Sequence, residues 1–294
     1  MEPQQKKAYL LAFTAVLFWS TVSSAFKLTL RYMSFQNLVF WSVLNGIAVL
    51  ILANRLSGTP LNIKKLNVKN ILSSAVMGFF NPFLYYLVLI KAYSLLEAQI
   101  AGTLNYFWPI VLVLFSIVFL KQKIKPIGIL AIFISFTGII IISTGGNPLT
   151  MKFNNLSGVL LALSSAVLWA MYWIMNLKDK REDTGKILLN MIFGLVYLGI
   201  WLIIQQQSFY IPTVNGYLGT LYIGIFEMGV TYIIWLKALK FSSDTAKVSN
   251  LIYLSPFLGL FWINLFVGET IHLSTIVGLM FIVSGILIQA RVKG

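Results

Sequence analysis

The chain of 294 residues has no cysteine, one histidine and only eight acidic residues. Without cysteine there is no disulfide framework, no thiolate nucleophile and no cysteine-based metal cluster. One histidine among scattered acids makes no metal site, and no H-E-x-x-H or G-x-S-x-G segment occurs, so no catalytic constellation can be assembled. There is also no Walker A loop, so any transport must draw on an ion gradient or on the substrate's own gradient. The expectation is a protein that is not an enzyme and needs no cofactor. Charge of either sign is scarce too. Charged residues make up 10% of the chain against 59% hydrophobic, and the mean hydropathy is +0.86. A soluble domain of this length needs far more polar surface.

What fills the chain instead is a succession of apolar runs, each close to the ~20 residues that cross a ~30 Å hydrocarbon core. Ten spans are expected, at about 8–30, 35–56, 70–92, 97–120, 125–144, 156–178, 184–205, 215–238, 243–266 and 271–290. The first run follows Lys6 and Lys7 as a signal peptide would. It is too long for a signal peptide's apolar region and lacks a small-residue cleavage pattern, so it reads as the first span.

The basic residues orient these spans. With the N-terminus inside, the inner segments carry Lys6, Lys7, Arg55, Lys64, Lys65, Lys69, Lys121, Lys123, Lys125, Lys178, Lys180, Arg181, Lys186, Lys237, Lys240, Lys247, Arg291 and Lys293. The outer side carries only Lys27, Arg31, Lys91 and Lys152, a bias that supports both ten spans and an N-in, C-in topology. The net charge of +14 is therefore a topology signal with contact to anionic lipid as a by-product, and nucleic acid is not an expected partner.

The chain also repeats itself. Leu10-Leu11-Ala12 and Trp19 return at offset 150 as Leu160-Leu161-Ala162 and Trp169. Gly78, Phe80, Tyr86, Lys91 and Ala92 return at offset 146 as Gly224, Phe226, Tyr232, Lys237 and Ala238. Leu104, Tyr106, Pro109, Phe119, Gly138 and Ile139 return at offset 147 as Leu251, Tyr253, Pro256, Phe266, Gly285 and Ile286. Five spans per half is an odd number, so the two copies enter the membrane from opposite sides. The expected fold is an all-α polytopic membrane protein of two inverted five-helix repeats, 1–147 and 148–294, with a small-molecule substrate near the midplane between the halves.

At ~1.5 Å per residue, Trp19, Asn81, Phe107, Trp169 and Glu227 lie roughly 15–18 Å into their spans. An ionisable group at that depth costs about 3 kcal/mol on insertion scales, so Glu227 is either a proton-titrating or cation-binding carboxylate, or an acid satisfied by a neighbouring helix. Ser20, Ser23, Ser24 and Lys27 fall on one face of the first helix. They either line a polar vestibule, with Lys27 a second coupling candidate, or the serines bond their own helix while Lys27 snorkels outward. Asn105-Tyr106-Phe107-Trp108-Pro109 and Tyr253-Leu254-Ser255-Pro256 place paired prolines mid-span, where each removes an N–H and kinks the helix, freeing the carbonyls of Asn105 and Ile252. Their aromatic faces suit aromatic or cationic ligands, but Tyr106 and Trp108 stand about 200° apart on a helix, so one of the two is the main contact. Glu269 and His272 read as turn or capping residues. The expected substrate-binding set is Trp19, Ser23, Asn81, Tyr85, Asn105, Tyr106, Trp108, Trp169, Glu227 and Tyr253, with Pro109 and Pro256 as helix kinks.

The two five-helix halves, Trp19 and Trp169, the paired prolines and Gly268-Glu269 before the last span resemble the drug/metabolite transporter superfamily, and within it the ten-helix group with paired EamA domains. N-Y-F-W-P is similar to the N-Y-L-W-P stretch of YddG-type exporters of aromatic amino acids, and Leu168-Trp169-Ala170-Met171-Tyr172 to their sixth helix. That resemblance implies that Tyr106, Trp108 and Trp169 line a central cavity and that amino acids or related metabolites are exported across a bacterial cytoplasmic (inner) membrane. Lys121-Gln122-Lys123 stands where the first half would carry a Gly-Glu turn, and Glu227 has no counterpart in that pattern. The runner-up is a multidrug-type exporter of organic cations anchored on Glu227. The oligomeric state is left open and is compatible with a monomer.

Overall fold

The computed structural model describes residues 4–56, 67–120, 125–147, 155–181, 183–207, 212–242, 248 and 250–292. Lys64, Lys65, Lys121 to Lys123, Lys152, Lys247, Lys293 and the first residues of the span expected at 243–266 lie outside the described residues. Among the described residues every regular element is a helix. Eight helices are long and apolar enough to cross a membrane, and Leu251–Val267 and Leu273–Ile288 are shorter apolar helices.

Six segments are uninterrupted: α1 Gln5–Thr29, α2 Phe35–Leu56, α7 Pro126–Ser143, α8 Leu156–Lys178, α9 Asp183–Ile204 and α13 Leu273–Val292. The others are broken. The third span is α3 Val68–Gly78, a π segment Phe79–Leu84 and α4 Tyr85–Leu95. The fourth is α5 Ala98–Asn105 and α6 Trp108–Leu120, and the eighth is α10 Val214–Phe226 and α11 Val230–Phe241. The first of the two shorter apolar helices runs as a 3-10 turn Asn250–Leu254, α12 Ser255–Trp262 and a π segment Ile263–Val267. Breaks thus recur in both halves of the sequence, at Phe79–Leu84 and after Asn105 in the first, after Phe226 and around Asn250–Leu254 in the second.

Local chemistry sets these boundaries. Asn67, Asn155 and Thr213 cap α3, α8 and α10, each side chain accepting from the N–H three residues on, at Asn70, Gly158 and Gly216. Lys125 precedes a proline at the start of α7. α7 ends where Gly145 and Gly146 adopt φ of 62° and 86°, and the Gly146 N–H returns to the Ile141 carbonyl at 2.8 Å.

The chain forms two compact units, one of residues 1–87 and 180–267, the other of 88–179 and 268–294. Each unit draws helices from both halves of the sequence. In the first unit, Ala8 and Ala12 of α1 give the small face on which Ala238 of α11 and Val248 pack. Gly78 sits on α9 so tightly that a Cβ there would lie 2.4 Å from the Asn190 carbonyl oxygen, 2.9 Å from Phe193 Cβ and 3.1 Å from Gly194 N. Gly224 sits on α2 in the same way, 2.7 Å from the Ser42 oxygen, 2.6 Å from Asn45 Cβ and 2.8 Å from Gly46 N.

In the second unit α7 and α13 meet through glycine as well. A Cβ on Gly138 would come within 2.4 Å of the Gly278 carbonyl oxygen, and one on Gly285 within 2.5 Å of the Ala131 oxygen and 2.1 Å of Ser135 Oγ. Backbone approach of this kind replaces the hydrophobic effect as the adhesive between apolar helices in lipid.

Candidate functional site

In the first unit the site begins with the breaks. Asn81 leaves the helix for an extended conformation (φ −147°, ψ 120°) next to Pro82, and its side chain is buried with Oδ1 unpartnered among the described residues. Pro82 rests on Gly194, and Met228 rests in the same manner on Gly46. α10 ends at Phe226: the Glu227 N–H makes the last helical bond, to the Ile223 carbonyl at 2.8 Å, and the Met228 N–H returns to that same carbonyl at 3.2 Å, one residue out of helical register. Gly229, at φ −120° and ψ −93°, then opens α11, while Thr231 Oγ1 donates to the Phe226 carbonyl.

Glu227 is therefore presented from a turn and not from a helix face. Tyr86 OH donates to Glu227 Oε1 at 2.9 Å. Tyr86 is itself buried, with the Phe26 and Tyr85 rings 6.5 and 4.7 Å from its own ring, so the donor to the carboxylate is held in place by packing. Trp19 packs edge-on against Tyr232 at 5.8 Å and Trp235 at 5.5 Å. Along α1, Ser20 donates to the Leu17 carbonyl and accepts from Trp262 Nε1, while Ser23 and Lys27 are partly buried. Tyr253 lies in the 3-10 turn, one turn before Pro256.

In the second unit the chain leaves helical structure after Asn105, turns through Tyr106 and Phe107, and resumes at Trp108. Pro109 is accordingly in the first turn of α6, and Pro256 in the first turn of α12, instead of kinking continuous helices as expected. The physical reason is that the first turn has no intrahelical use for the missing N–H, so a break just ahead of the ring avoids the clash that an interior proline makes. The Phe107 carbonyl takes up the next N–H groups, from Ile110 at 3.0 Å and Val111 at 3.4 Å. Asn105 Nδ2 donates to Ser165 Oγ at 2.8 Å, tying the break to α8. Phe107 is buried against Phe136, whereas Tyr106 and Trp108 are partly exposed. With a turn between them, the 200° separation expected for a continuous helix no longer applies. Trp169 sits on α8 beside Tyr172 and Trp173, at 5.9 and 6.0 Å.

The turn before α13 holds α5 in place. Gly268 has φ 80°, which favours glycine, and lets Glu269 accept the N–H groups of Ala98 at 2.7 Å and Gln99 at 3.1 Å. His272 Nε2 lies 2.8 Å from Glu97 Oε2. Glu269 is thus a helix cap, the role read for it from the sequence.

The structure groups Trp19 with Tyr232 and Trp235, Glu227 with Tyr86, and Asn105 with Ser165. Tyr86 was missing from the site set in favour of Tyr85. The signal for it was the repeat, in which Tyr86 pairs with Tyr232, one of the rings on Trp19.

The model of the EamA-like transporter family matches this chain twice, over residues 6–144 and 156–290. An uncharacterized transporter of Clostridium kluyveri is 27% identical, with 97% of this chain and 93% of the relative covered. The uncharacterized transporter YvbV of Bacillus subtilis is 26% identical over 97% of this chain and 91% of its own. The aromatic amino acid exporter YddG of Ancylobacter novellus is 24% identical, with 86% of each chain covered. A solved protein structure superposes with a TM-score of 0.68 at 21% identity, covering 98% of this chain and 99% of its own, a likeness of fold.

Proposed function

Because the chain belongs to the EamA-like transporter family, we propose that it is a secondary transporter exporting small amphipathic metabolites, amino acids with aromatic side chains first. It works by alternating access across a bacterial cytoplasmic membrane, with ten spans and both termini inside. The observation that carries this reading is the placement of the helix breaks. Discontinuous helices at corresponding positions of two repeats expose backbone polar groups only where they face protein or a water-filled cavity, and such breaks mark substrate and ion sites in transporters. Here each break carries a polar or aromatic side chain that lipid would not reward: Asn81, Glu227, the Asn105–Trp108 group and Tyr253.

In the first unit Trp19, Ser23, Asn81, Tyr85 and Tyr253 contact substrate in the course of the cycle, and Glu227 is the coupling carboxylate, with Lys27 as the second candidate. In the second unit Asn105, Trp169 and one or both of Tyr106 and Trp108 do so. The similarity to an aromatic amino acid exporter supports the substrate class. A second reading, export of organic cations, is favoured by one observation, the Glu227 carboxylate at a helix break beside the Tyr86 hydroxyl.

Counterflow into proteoliposomes, with a panel of amino acids and aromatic cations, tests both. Exchange of labelled aromatic amino acids is expected. Exchange of cations alone, abolished by Glu227→Gln, gives the second reading instead, and movement of no panel member sinks both.

A further inference from the structure

In the first unit, lysines from two distant stretches of sequence meet at one helix junction. α1 starts where α11 stops: the Gln4 N–H donates to the Phe241 carbonyl at 3.0 Å, and Ser242 Oγ to Gln5 Oε1 at 3.3 Å. Small residues permit the approach, Ala8 and Ala12 packing with Ala238. The junction gathers Lys6 and Lys7 from the first turn of α1 with Lys237 and Lys240 from the last two turns of α11. All four are exposed. Lys7 Nζ lies 4.3 Å from the centroid of the Phe241 ring, which fixes one ammonium group at the join. Among the described residues none of the four makes an ion pair. Outside the described residues the flanking sequence adds Glu2, Asp244 and Lys247, which leaves the junction net positive.

Helix stability does not account for this charge. Lys240 suits the C-terminal end of α11, but Lys6 and Lys7 stand at a helix N-terminus, where the dipole favours anions. α1 has no acid in its first turn, and the Gln4 side chain makes no capping bond there. Exposed charges within a Debye length, ~10 Å at 0.1 M salt, are only partly screened from one another, so like charges crowded at one junction repel. An anion placed among them relieves that repulsion and complements the N-terminus of α1 at once.

What lies beyond the lysines on α1 narrows the anion. Lys6, Leu10 and Phe13 are spaced i, i+4 and i+7 and share one helix face. Leu10 is 68% exposed and Phe13 44%, with Tyr9 beside them. A partner that covers both parts of this surface has an anionic head and an apolar body. We propose that the junction of α1 and α11 binds an anionic phospholipid, its phosphate among the four ammonium groups and an acyl chain along Leu10 and Phe13. None of these residues has a transport role above, so the inference goes beyond that reading and stands or falls separately.

Binding of dioleoyl phosphatidylglycerol and dioleoyl phosphatidylcholine to the detergent-purified full chain is compared by native mass spectrometry. The unaltered protein is expected to hold the anionic lipid more tightly. Replacing Lys6, Lys7, Lys237 and Lys240 together by Gln should weaken phosphatidylglycerol by up to about fivefold per lysine and leave phosphatidylcholine unchanged. Replacing all four by Arg keeps the charge and should keep the binding. The control replaces Arg55, Lys69, Lys178 and Arg291 by Gln, which removes as much exposed charge elsewhere and should change little. Inorganic phosphate in large excess is expected not to displace the lipid. If the fourfold Gln variant does not fold, Lys237→Gln with Lys240→Gln gives the same reading at smaller amplitude. Equal binding of the two lipids, equal loss in the junction and control variants, loss in the Arg variant, or displacement by phosphate would each overturn the proposal.

Discussion

Gly78 and Gly224 make the same contact from opposite halves of the sequence. Gly78 meets the carbonyl of Asn190, the Cβ of Phe193 and the nitrogen of Gly194, and Gly224 meets the carbonyl of Ser42, the Cβ of Asn45 and the nitrogen of Gly46. Moving 148 positions along the chain converts each partner on α2 into the matching partner on α9. The equivalence continues past the glycines, where Pro82 lies on Gly194 and Met228 on Gly46. The glycine contacts precede the helix breaks and the Pro82 and Met228 contacts lie within them, so the chain is clamped where it departs from the helix.

That clamp should be measurable as stability. A methyl group on Gly78 or Gly224 meets backbone, which cannot rotate away, and overpacking of that kind costs about 1–3 kcal/mol. The gain in helix propensity from glycine to alanine, up to about 1 kcal/mol, offsets only part of it. Gly78→Ala and Gly224→Ala should both lower the unfolding temperature in detergent. Gly199→Ala, with open space around its Cβ, should hold or raise it. Equal behaviour of all three variants would mean that the helices shift freely at these points.

Glu227 and Tyr86 separate charge from hydrogen bonding. Glutamine at position 227 still offers an oxygen to the Tyr86 hydroxyl but cannot take up a proton. Glu227→Gln should therefore keep the fold and substrate counterflow while losing uptake driven by an imposed pH gradient. Tyr86→Phe removes the donor seen at 2.9 Å and leaves a partly buried carboxylate short of a partner, a loss of about 1–3 kcal/mol in stability. If Glu227→Gln still responds to the gradient, Glu227 is not the coupling group, and Lys27 is the next variant to measure.

The eight helices long and apolar enough to cross a membrane were legible because apolar runs are a local property of sequence. The same 146-position offset that relates Gly78 to Gly224 also relates Asn81 to Glu227. The breaks at both positions were not read. Pro82 lies inside an apolar run whose composition says only that it is buried, and Gly229 is one glycine among 21. Pro109 was read as a kink because sequence shows the ring but not which side of it the helix ends. Tyr86 was passed over for Tyr85 because adjacent residues on a helix differ by about 100° in direction, and only packing decides which of the two points at a carboxylate 141 positions away.

Trp169 tests the substrate class. If its indole contacts an aromatic side chain, Trp169→Ala removes a ring–ring contact worth about 0.5–1.5 kcal/mol beyond area, or roughly 2- to 12-fold in affinity. The KM for aromatic amino acids in proteoliposomes should rise by at least that much, and the KM for leucine by less. Parallel increases for both would assign Trp169 to packing on α8 beside Tyr172 and Trp173.

Glu269 is expected to matter for stability and not for recognition. It accepts two N–H groups at the start of α5, a helix of eight residues that ends at the Asn105 break. So short a segment has few internal bonds, and its orphaned N–H groups weigh heavily. Glu269→Ala should cost about 0.5–2 kcal/mol, the usual worth of a helix cap. Glu269→Gln keeps one acceptor oxygen but loses the negative charge that complements the helix N-terminus, and should fall in between. Thermal unfolding in detergent gives the order, and KM for any transported substrate should stay at the unaltered value in both variants. A changed KM with an unchanged unfolding temperature would move Glu269 from the cap to the substrate path.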